Sequence, residues 1–161
     1  MKKMNRKGFT LIELLAVIVV LAIILVITVP SILNTLGGTR QDAFDASANS
    51  VADWFEKNYS LAQFDSSKAN SSYTSWATGK TLTNANAMSA DVLAAAGLNS
   101  SDYSASSKVI IKANGRACVK LMVPSTTSGE TTTYSGKFSS LDTKYTFSSA
   151  CTDADKTTLG K

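Results

Sequence analysis

Apolar and polar residues are sharply segregated at the start of the chain. A short basic stretch, residues 2–7, precedes an apolar run from Leu14 to Val29. One acidic residue, Glu13, lies immediately before that run. Counted from Phe9 to Val29, the segment is about 31 Å long as a helix, enough to cross a bilayer core of about 30 Å. The pattern predicts a single membrane-spanning helix.

The flanking residues predict the orientation of this helix and its special character. Positive residues stay on the cytoplasmic side, so Ser31 onward should lie outside the membrane. A cleavable secretory signal is disfavoured because no small-x-small cleavage site follows the run. An ordinary membrane anchor would not explain Glu13, since a carboxylate at the edge of lipid is costly unless a partner meets it. Glu13 is therefore a candidate functional residue.

Beyond Pro30 the pattern becomes that of an amphipathic helix. Proline kinks a membrane helix rather than forbidding it, and Gly37-Gly38 are expected to form a soft joint. Apolar residues then recur at steps of three or four, which predicts one face packed as core against an outer domain. The apolar face consists of Phe44, Ala48, Val51, Phe55, Tyr59 and Ala62, and the opposite face of Asp42, Asp45, Asn49, Asp53 and Glu56.

The rest of the chain predicts a small antiparallel sheet. Asn114-Gly115 separates two apolar runs, 109–111 and 117–123, and such a dipeptide is typical of a tight hairpin turn. Two further strands are expected at 134–138 and 144–148. The predicted fold class is α+β, with a long N-terminal helix packed on a small antiparallel β-sheet.

Between these strands and the long helix, the sequence predicts loops and one short helix. Residues 65–82 are interpreted as a loop that Trp76 anchors to the core. Ser89 is the expected N-cap of a short helix that Gly97 ends. Residues 125–133 are rich in Ser and Thr and are predicted to be a surface loop.

Charge argues against nucleic acid as a partner. The basic stretch holds four of the 16 Lys and Arg residues, so the rest of the chain balances 12 basic against 12 acidic residues. Four basic residues at four-residue spacing are interpreted as one solvated face of the hairpin rather than a phosphate-binding patch. These residues are Lys108, Lys112, Arg116 and Lys120.

The residue types also argue against catalysis. The chain contains no histidine, which excludes a histidine-assisted nucleophile and a histidine metal ligand. Asp153-Ala154-Asp155 lacks the glycine and distal glutamate of a calcium loop and is interpreted as a solvated acidic tail. The sequence therefore predicts neither an enzyme nor a bound cofactor or metal.

The residues around Glu13 resemble a known processing site. Lys7-Gly8-Phe9-Thr10-Leu11-Ile12-Glu13-Leu14 is similar to the site in type IV prepilins, where a membrane peptidase cuts after the glycine and methylates the new N-terminus. The resemblance implies that Gly8 precedes the cut, that Phe9 becomes the first mature residue and that Glu13 is the assembly glutamate. Pro30 resembles the helix-loosening proline of the family. The implied partners are prepilin peptidase, the cytoplasmic membrane, the pilus assembly machinery and copies of the chain itself in a helical homopolymer.

Cys118 and Cys151 are the only cysteines of the chain. Both are predicted to lie outside the membrane, where thiols are commonly oxidised, so a disulfide is expected. The pair would resemble the disulfide-bounded C-terminal region of many pilins. Two buried free thiols are the alternative.

These expectations divide the chain into three parts. Residues 1–8 form a cleaved leader, residues 9–62 a long helix with 9–29 in the membrane, and residues 63–161 an extracellular head. The expected function is that of a pilin, a structural subunit that is a single-pass membrane protein before assembly and part of a cell-surface type IV pilus afterwards. Such a fibre supports adhesion or twitching motility.

Two alternatives share part of this pattern. A pseudopilin or competence pilin of a type II secretion or DNA-uptake system has the same leader and helix. A membrane-anchored surface binding module that never polymerises would have the anchor alone.

Overall fold

A computed structural model of the chain describes residues 10–128, 131–138, 141 and 143–160. The chain divides into two compact units between Thr39 and Arg40. The first helix, α1 (Leu11–Phe64), contributes to both units, and its assignment continues through Pro30, Gly37 and Gly38. Each unit is described by itself.

The second unit contains the described helices and strands that follow α1. The sheet has the order β1-β2-β3-β6 with antiparallel pairing throughout, and β4 and β5 form a separate hairpin. The predicted α+β class, a long N-terminal helix followed by a small antiparallel sheet, is confirmed. The elements are α2 (Ser71–Ala77), β1 (Asn86–Ala87), α3 (Ala90–Ala95), a 3₁₀ turn (Ser100–Asp102), β2 (Lys108–Ile111), β3 (Ala117–Met122), β4 (Ser125–Ser128), β5 (Thr131–Tyr134), β6 (Tyr145–Phe147) and α4 (Asp153–Thr158).

The central hairpin forms where the sequence predicts it. Strands β2 and β3 pair with Val109 opposite Val119, and the turn places Gly115 at a φ of +82°, a value that glycine adopts at little cost. The Asn114 side chain accepts a hydrogen bond from the Arg116 N–H at 3.1 Å. Local turn chemistry thus fixes the register of the two most buried strands.

Two segments that were predicted to be loops contain regular structure. Asn70 caps α2 by accepting from the Ser72 N–H at 2.9 Å, within the segment predicted as a loop. Trp76 is nevertheless the predicted anchor: it is 6% exposed and donates to the Ala87 carbonyl at 2.8 Å. Residues 125–133 hold most of the β4–β5 hairpin, so the strand predicted at 134–138 is wrong except for its first residue.

The core lies between the second half of α1 and one face of the sheet. Phe44, Val51 and Phe55 are fully buried against β-strand side chains such as Val119 and Leu121. Phe55 also meets Trp76 edge-on, with ring centroids 4.9 Å apart. Large aromatic side chains of this kind dominate the burial that stabilises a small domain.

The predicted polar face of α1 is only partly solvent-exposed. Asn49 accepts from the Ser149 N–H at 2.7 Å, and Glu56 accepts from the Ala117 N–H at 2.9 Å. The Asp45 carboxylate accepts from the Thr146 hydroxyl. These three side chains were expected on the polar face, but β3, β6 and the residues just after β6 lie along that edge of the helix and donate hydrogen bonds to them.

The opposite face of the sheet carries a second, smaller core. Leu159, just after α4, is 1% exposed and packs with Ile110 and Cys118. A disulfide joins Cys118 to Cys151 across 33 residues, as expected from the sequence. The bond therefore holds the C-terminal segment on the outer face of β3.

The segment that contains Asp153 and Asp155 is a helix start, not a solvated tail. Thr152 and Asp155 form a reciprocal capping box, in which the Thr152 N–H donates to the carboxylate at 2.8 Å. Lys112 pairs with the same carboxylate at 2.7 Å. Burial raises the pKa of Asp155, but hydrogen bonds from Lys112 and Thr152 outweigh burial and hold that pKa below its ordinary value.

We expect the disulfide to contribute strongly to the stability of the second unit. Replacing Cys118 and Cys151 together by serine should lower the free energy of unfolding by about 3–4 kcal/mol, because the unfolded chain regains the freedom of a 33-residue loop. Denaturant unfolding followed by Trp fluorescence measures this difference. Equal unfolding midpoints for the double variant and the oxidised wild-type chain would contradict it.

Burial of Tyr73 predicts a loss of stability at alkaline pH. Desolvation, with a smaller effect of Tyr59, raises the pKa of Tyr73 to about 12 from 10.0. Because the folded pKa is the higher one, the neutral phenol stabilises the fold below pH 10.0 and this contribution is lost as the pH rises toward about 12. Burial also raises the pKa of Tyr103, so a phenolate absorbance titration should show a late step to which both tyrosines contribute, and Tyr73→Phe should reduce that step by one phenolate. A late step of unchanged amplitude in Tyr73→Phe would contradict the assignment.

Candidate functional site

The site predicted from the sequence lies at the first turn of α1. Thr10 is the residue before the helix, and its carbonyl accepts from the Glu13 N–H at 3.1 Å and from the Leu14 N–H at 3.3 Å. The residues from Leu11 to Val29 include no glycine or proline, so nothing in their sequence interrupts the helix before Pro30. The start of the helix is thus fixed at Thr10.

Glu13 is held by a reciprocal capping box with Thr10. Its Oε2 accepts from the Thr10 N–H at 2.9 Å and from the Thr10 hydroxyl at 2.7 Å, while the Glu13 N–H approaches the same hydroxyl at 3.4 Å. A Thr-x-x-Glu pattern is the sequence signature of this box. The signature is present in the processing motif, but the prediction made for Glu13 rested on its charge and not on this capping pattern.

The two hydrogen bonds that Thr10 donates to the Glu13 carboxylate are both accepted by Oε2. Within the described residues, Oε1 has no hydrogen-bond donor, and the carboxylate is exposed. An ionised carboxylate accepts at two oxygens. Glu13 therefore keeps the capacity to bind a cation after capping its own helix.

The side chains beyond Glu13 form an apolar surface without a cover in the single chain. The large apolar residues between Leu11 and Leu36 are 46% to 84% exposed. The helix contains a window of mean hydropathy 3.2, so it is long and apolar enough to cross a membrane. Soluble monomers rarely leave a contiguous apolar surface of this extent in water. Lipid or other apolar helices must cover it.

Polar groups inside this part of the helix satisfy themselves locally. The hydroxyls of Thr28, Thr35 and Thr39 donate to the carbonyls four residues earlier at 2.9 to 3.0 Å. Pro30 lies inside the helix and has no N–H to donate to the Val26 carbonyl. Hydroxyl back-bonding and proline both favour bending, so the segment around Pro30 is the weakest part of an otherwise regular helix.

The predicted site residues fall into three groups. Gly8 and Phe9 lie outside the described residues. Glu13 and Pro30 both lie in α1, one at its first turn and one in its interior. Cys118 and Cys151 are joined in the second unit and are separate from the helix start.

The four basic residues of the hairpin do not form one solvated face, which corrects the interpretation made from their spacing. Lys112 pairs with Asp155, and Arg116 pairs with Glu56 at 3.1 Å. Lys120 is 6% exposed, donates to the Gly160 carbonyl and lies 4.6 Å from the Tyr145 ring centroid. Burial, with a smaller effect of Lys108, lowers the pKa of Lys120. These side chains serve the fold of the second unit.

The described residues provide no group of three or more His, Cys, Asp or Glu side chains that could hold a metal ion. What the first turn of α1 offers, at the end of an apolar surface, is a carboxylate with one oxygen that accepts no hydrogen bond from the described residues. Such an arrangement suits the binding of a cationic group in a poorly hydrated environment.

Comparison with known proteins identifies the start of the chain. Residues 3–29 match the family model described as the prokaryotic N-terminal methylation motif. The match spans the basic stretch, the processing motif with Glu13, and the apolar run that follows. No curated protein and no solved structure matches the chain.

Proposed function

We propose that this chain, which carries the class III signal peptide of type IV pilins and pseudopilins, is a structural subunit of a type IV pilus. The observation that carries the proposal is the uncovered apolar surface of α1 with one carboxylate, Glu13, at its start. The second unit, Arg40–Lys161, has its own buried core and would form the exposed shell of the fibre.

The apolar surface supports storage in the membrane followed by extraction into a fibre. In the membrane, lipid would cover the side chains from Leu11 to Val29; in a bundle of identical helices, copies of the same side chains would cover them. Both environments are apolar, so the exchange yields little hydrophobic free energy. Helix packing and polar pairing must then favour the fibre, which gives Glu13 its importance.

Processing would create the partner of Glu13. Cleavage after Gly8 frees an amine at Phe9, and methylation leaves that amine basic. Within one chain the amine and the carboxylate are four residues apart, whereas in a staggered bundle Glu13 can reach the amine of the next subunit. The second arrangement neutralises both charges and also sets the axial register of neighbouring helices.

The implied path needs few partners. Prepilin peptidase would cut the leader at the cytoplasmic face, and the assembly machinery would move the mature subunit out of the membrane. Pro30, Gly37 and Gly38 would let the helix adjust as it leaves lipid, because proline lacks a helical donor and glycine is about 1 kcal/mol worse than alanine in a helix.

A pseudopilin of a secretion or DNA-uptake system is the second candidate, because the matched motif is common to both groups. Shearing separates the surface-pilus proposal from a short periplasmic fibre and from a non-polymerising module. A surface pilin should appear in the sheared high-molecular-weight fraction, whereas the other two should stay with the cells.

The first prediction concerns processing. The mature chain should begin at Phe9, and Gly8→Val should block cleavage, because a branched side chain replaces the small residue before the cut. Intact-mass analysis of surface protein and of membranes tests both statements. A surface protein that still carries Met1 to Gly8 would contradict the pilin proposal.

The second prediction separates the two roles of Glu13. Glu13→Gln keeps a side-chain oxygen that accepts from Thr10, since glutamine also completes a capping box, but it removes the charge. We expect this variant to be cleaved and inserted normally and to enter fibres poorly, because the amine of the neighbour would be left unpaired at a cost of about 3–5 kcal/mol.

Two further variants serve as controls in cells that lack the wild-type copy. Glu13→Val removes both roles and should be as defective as Glu13→Gln. Thr10→Val weakens the cap, keeps the carboxylate and should assemble well. Normal fibre yield from Glu13→Gln together with poor yield from Thr10→Val would show that capping, and not charge pairing, is what assembly requires.

A further inference from the structure

The β4–β5 hairpin is an exposed two-stranded ribbon. Every residue of β4 (Ser125–Ser128) and of β5 (Thr131–Tyr134) is exposed, and the ribbon is separate from the larger sheet. Seven of its eight strand residues are Ser or Thr. An isolated two-stranded hairpin is at best marginally stable in water, because it has no packed face. The ribbon therefore depends on its base or on a partner.

In the described part of the chain, the contacts between the ribbon and the rest of the second unit lie at the base of the ribbon. The Ser135 N–H donates to the Pro124 carbonyl at 2.7 Å, and the Val123 N–H donates to the Lys144 carbonyl at 2.9 Å. The Lys144 ammonium lies 5.3 Å from the Tyr134 ring centroid. Among the described residues from Thr126 to Ser128 and from Thr131 to Thr133, the hydrogen bonds are those that the two strands make with each other.

The register shows which backbone groups face outward. Hydrogen-bonded and non-hydrogen-bonded residue pairs alternate along an antiparallel ladder. Because Ser135 bonds to Pro124, which lies opposite it, the alternation along the rest of the ladder is determined. Thr127 and Thr132 are a non-bonded pair, which agrees with the 3.2 Å between their hydroxyl oxygens. Their N–H and C=O groups point to the two outer edges. The pairs that exchange bonds inside the ribbon are Thr126 with Thr133 and Ser128 with Thr131.

Neither outer edge carries a device that blocks strand pairing. Natural proteins protect exposed edge strands with lysine, proline, bulges or a covering element. The strand sequences, STTS and TTTY, contain no charge and no proline, and threonine favours extended structure. An open, uncharged edge of this kind suits β-augmentation, in which another strand adds to the ladder.

We propose that the outer edge of β5 pairs with the outer edge of β4 in the next copy of this chain. This proposal rests on the proposed filament function. Copies related by a shift across the strands place β5 beside the neighbour's β4 in antiparallel order, as inside one hairpin. The contact is head-to-tail, so each copy can pair with one neighbour through β4 and with another through β5.

A second copy suits these edges because of their charge. In a ladder of identical copies any edge charge would recur on every second strand, so like charges would accumulate along the ribbon and repel one another. Ser and Thr avoid that repulsion and can bond across the interface, as Thr127 and Thr132 do within the ribbon. The free N–H and C=O groups of both edges would gain partners.

Proline variants test whether the outer edges carry the contact. Thr127→Pro and Thr132→Pro each remove an outward N–H while leaving the bonds inside the ribbon intact. Thr127→Ala is the matched control, since it loses the hydroxyl but keeps the N–H. Both proline variants should give a several-fold lower yield of sheared fibres with an unchanged unfolding midpoint, and the alanine variant a near wild-type yield. Wild-type yields from both proline variants would overturn the proposal.

Cysteine pairing tests the geometry directly. Fibres assembled from a mixture of Thr127→Cys and Thr132→Cys subunits should form disulfide-linked dimers on mild oxidation, because the two positions on neighbouring copies are expected about 5.5 Å apart. Fibres of either variant alone should not. The native cysteines are already bonded to each other and do not interfere.

The outcomes distinguish the two proposals. Dimers from Thr127→Cys alone would show a two-fold contact and overturn the head-to-tail arrangement. Fibres in normal yield without any dimers would place the hairpin away from neighbouring copies and overturn this proposal only. Absence of fibres from the wild-type chain would overturn the proposed function as well.

Discussion

The uncovered apolar surface of α1 is the constraint on which the rest of this account depends. Large apolar side chains between Leu11 and Leu36, in the first unit, are about half exposed or more. Water is a poor environment for such a surface, and lipid and a helix bundle are both good ones. Since those two environments differ little for aliphatic side chains, a polar group such as Glu13 has a disproportionate effect on the choice between them.

The second half of α1 has a different role, because it packs against the sheet of the second unit. From Phe44 onward its apolar face is buried by the sheet, and Asn49 and Glu56 bind backbone N–H groups of the unit that the helix supports. The disulfide holds the C-terminal segment on the far side of β3. The head therefore has a core of its own, and removal of the helix from lipid need not disturb it.

Much of this was predictable from the sequence because local signals were strong. The apolar run, the three-to-four spacing from Phe44 to Ala62, Asn114-Gly115 and the Ser89 cap each indicate one structure, and each was found. The Thr10–Glu13 capping box was missed although its signature is in the sequence. The processing motif drew the interpretation of Glu13 toward a partner in another molecule.

Other features depended on tertiary context that spacing does not contain. Lys112 and Lys120 belong to a series of basic residues spaced by four, as on a solvated face, yet Lys112 pairs with Asp155 and Lys120 is buried beneath the C-terminal segment. Residues 125–133 were interpreted as a loop because they lack apolar groups. The structure instead pairs Ser125–Ser128 with Thr131–Tyr134 as an antiparallel hairpin. A strand without a buried face gives no alternating hydrophobic signal.

A helical reconstruction of fibres sheared from the cell surface tests the central claim most directly. The account predicts that the N-terminal halves of α1 form the fibre core and that the Glu13 carboxylate lies within about 4 Å of the Phe9 amine of a neighbouring subunit. A fibre core built from the heads, or a Glu13 carboxylate exposed to solvent with no amine near it, would contradict the account.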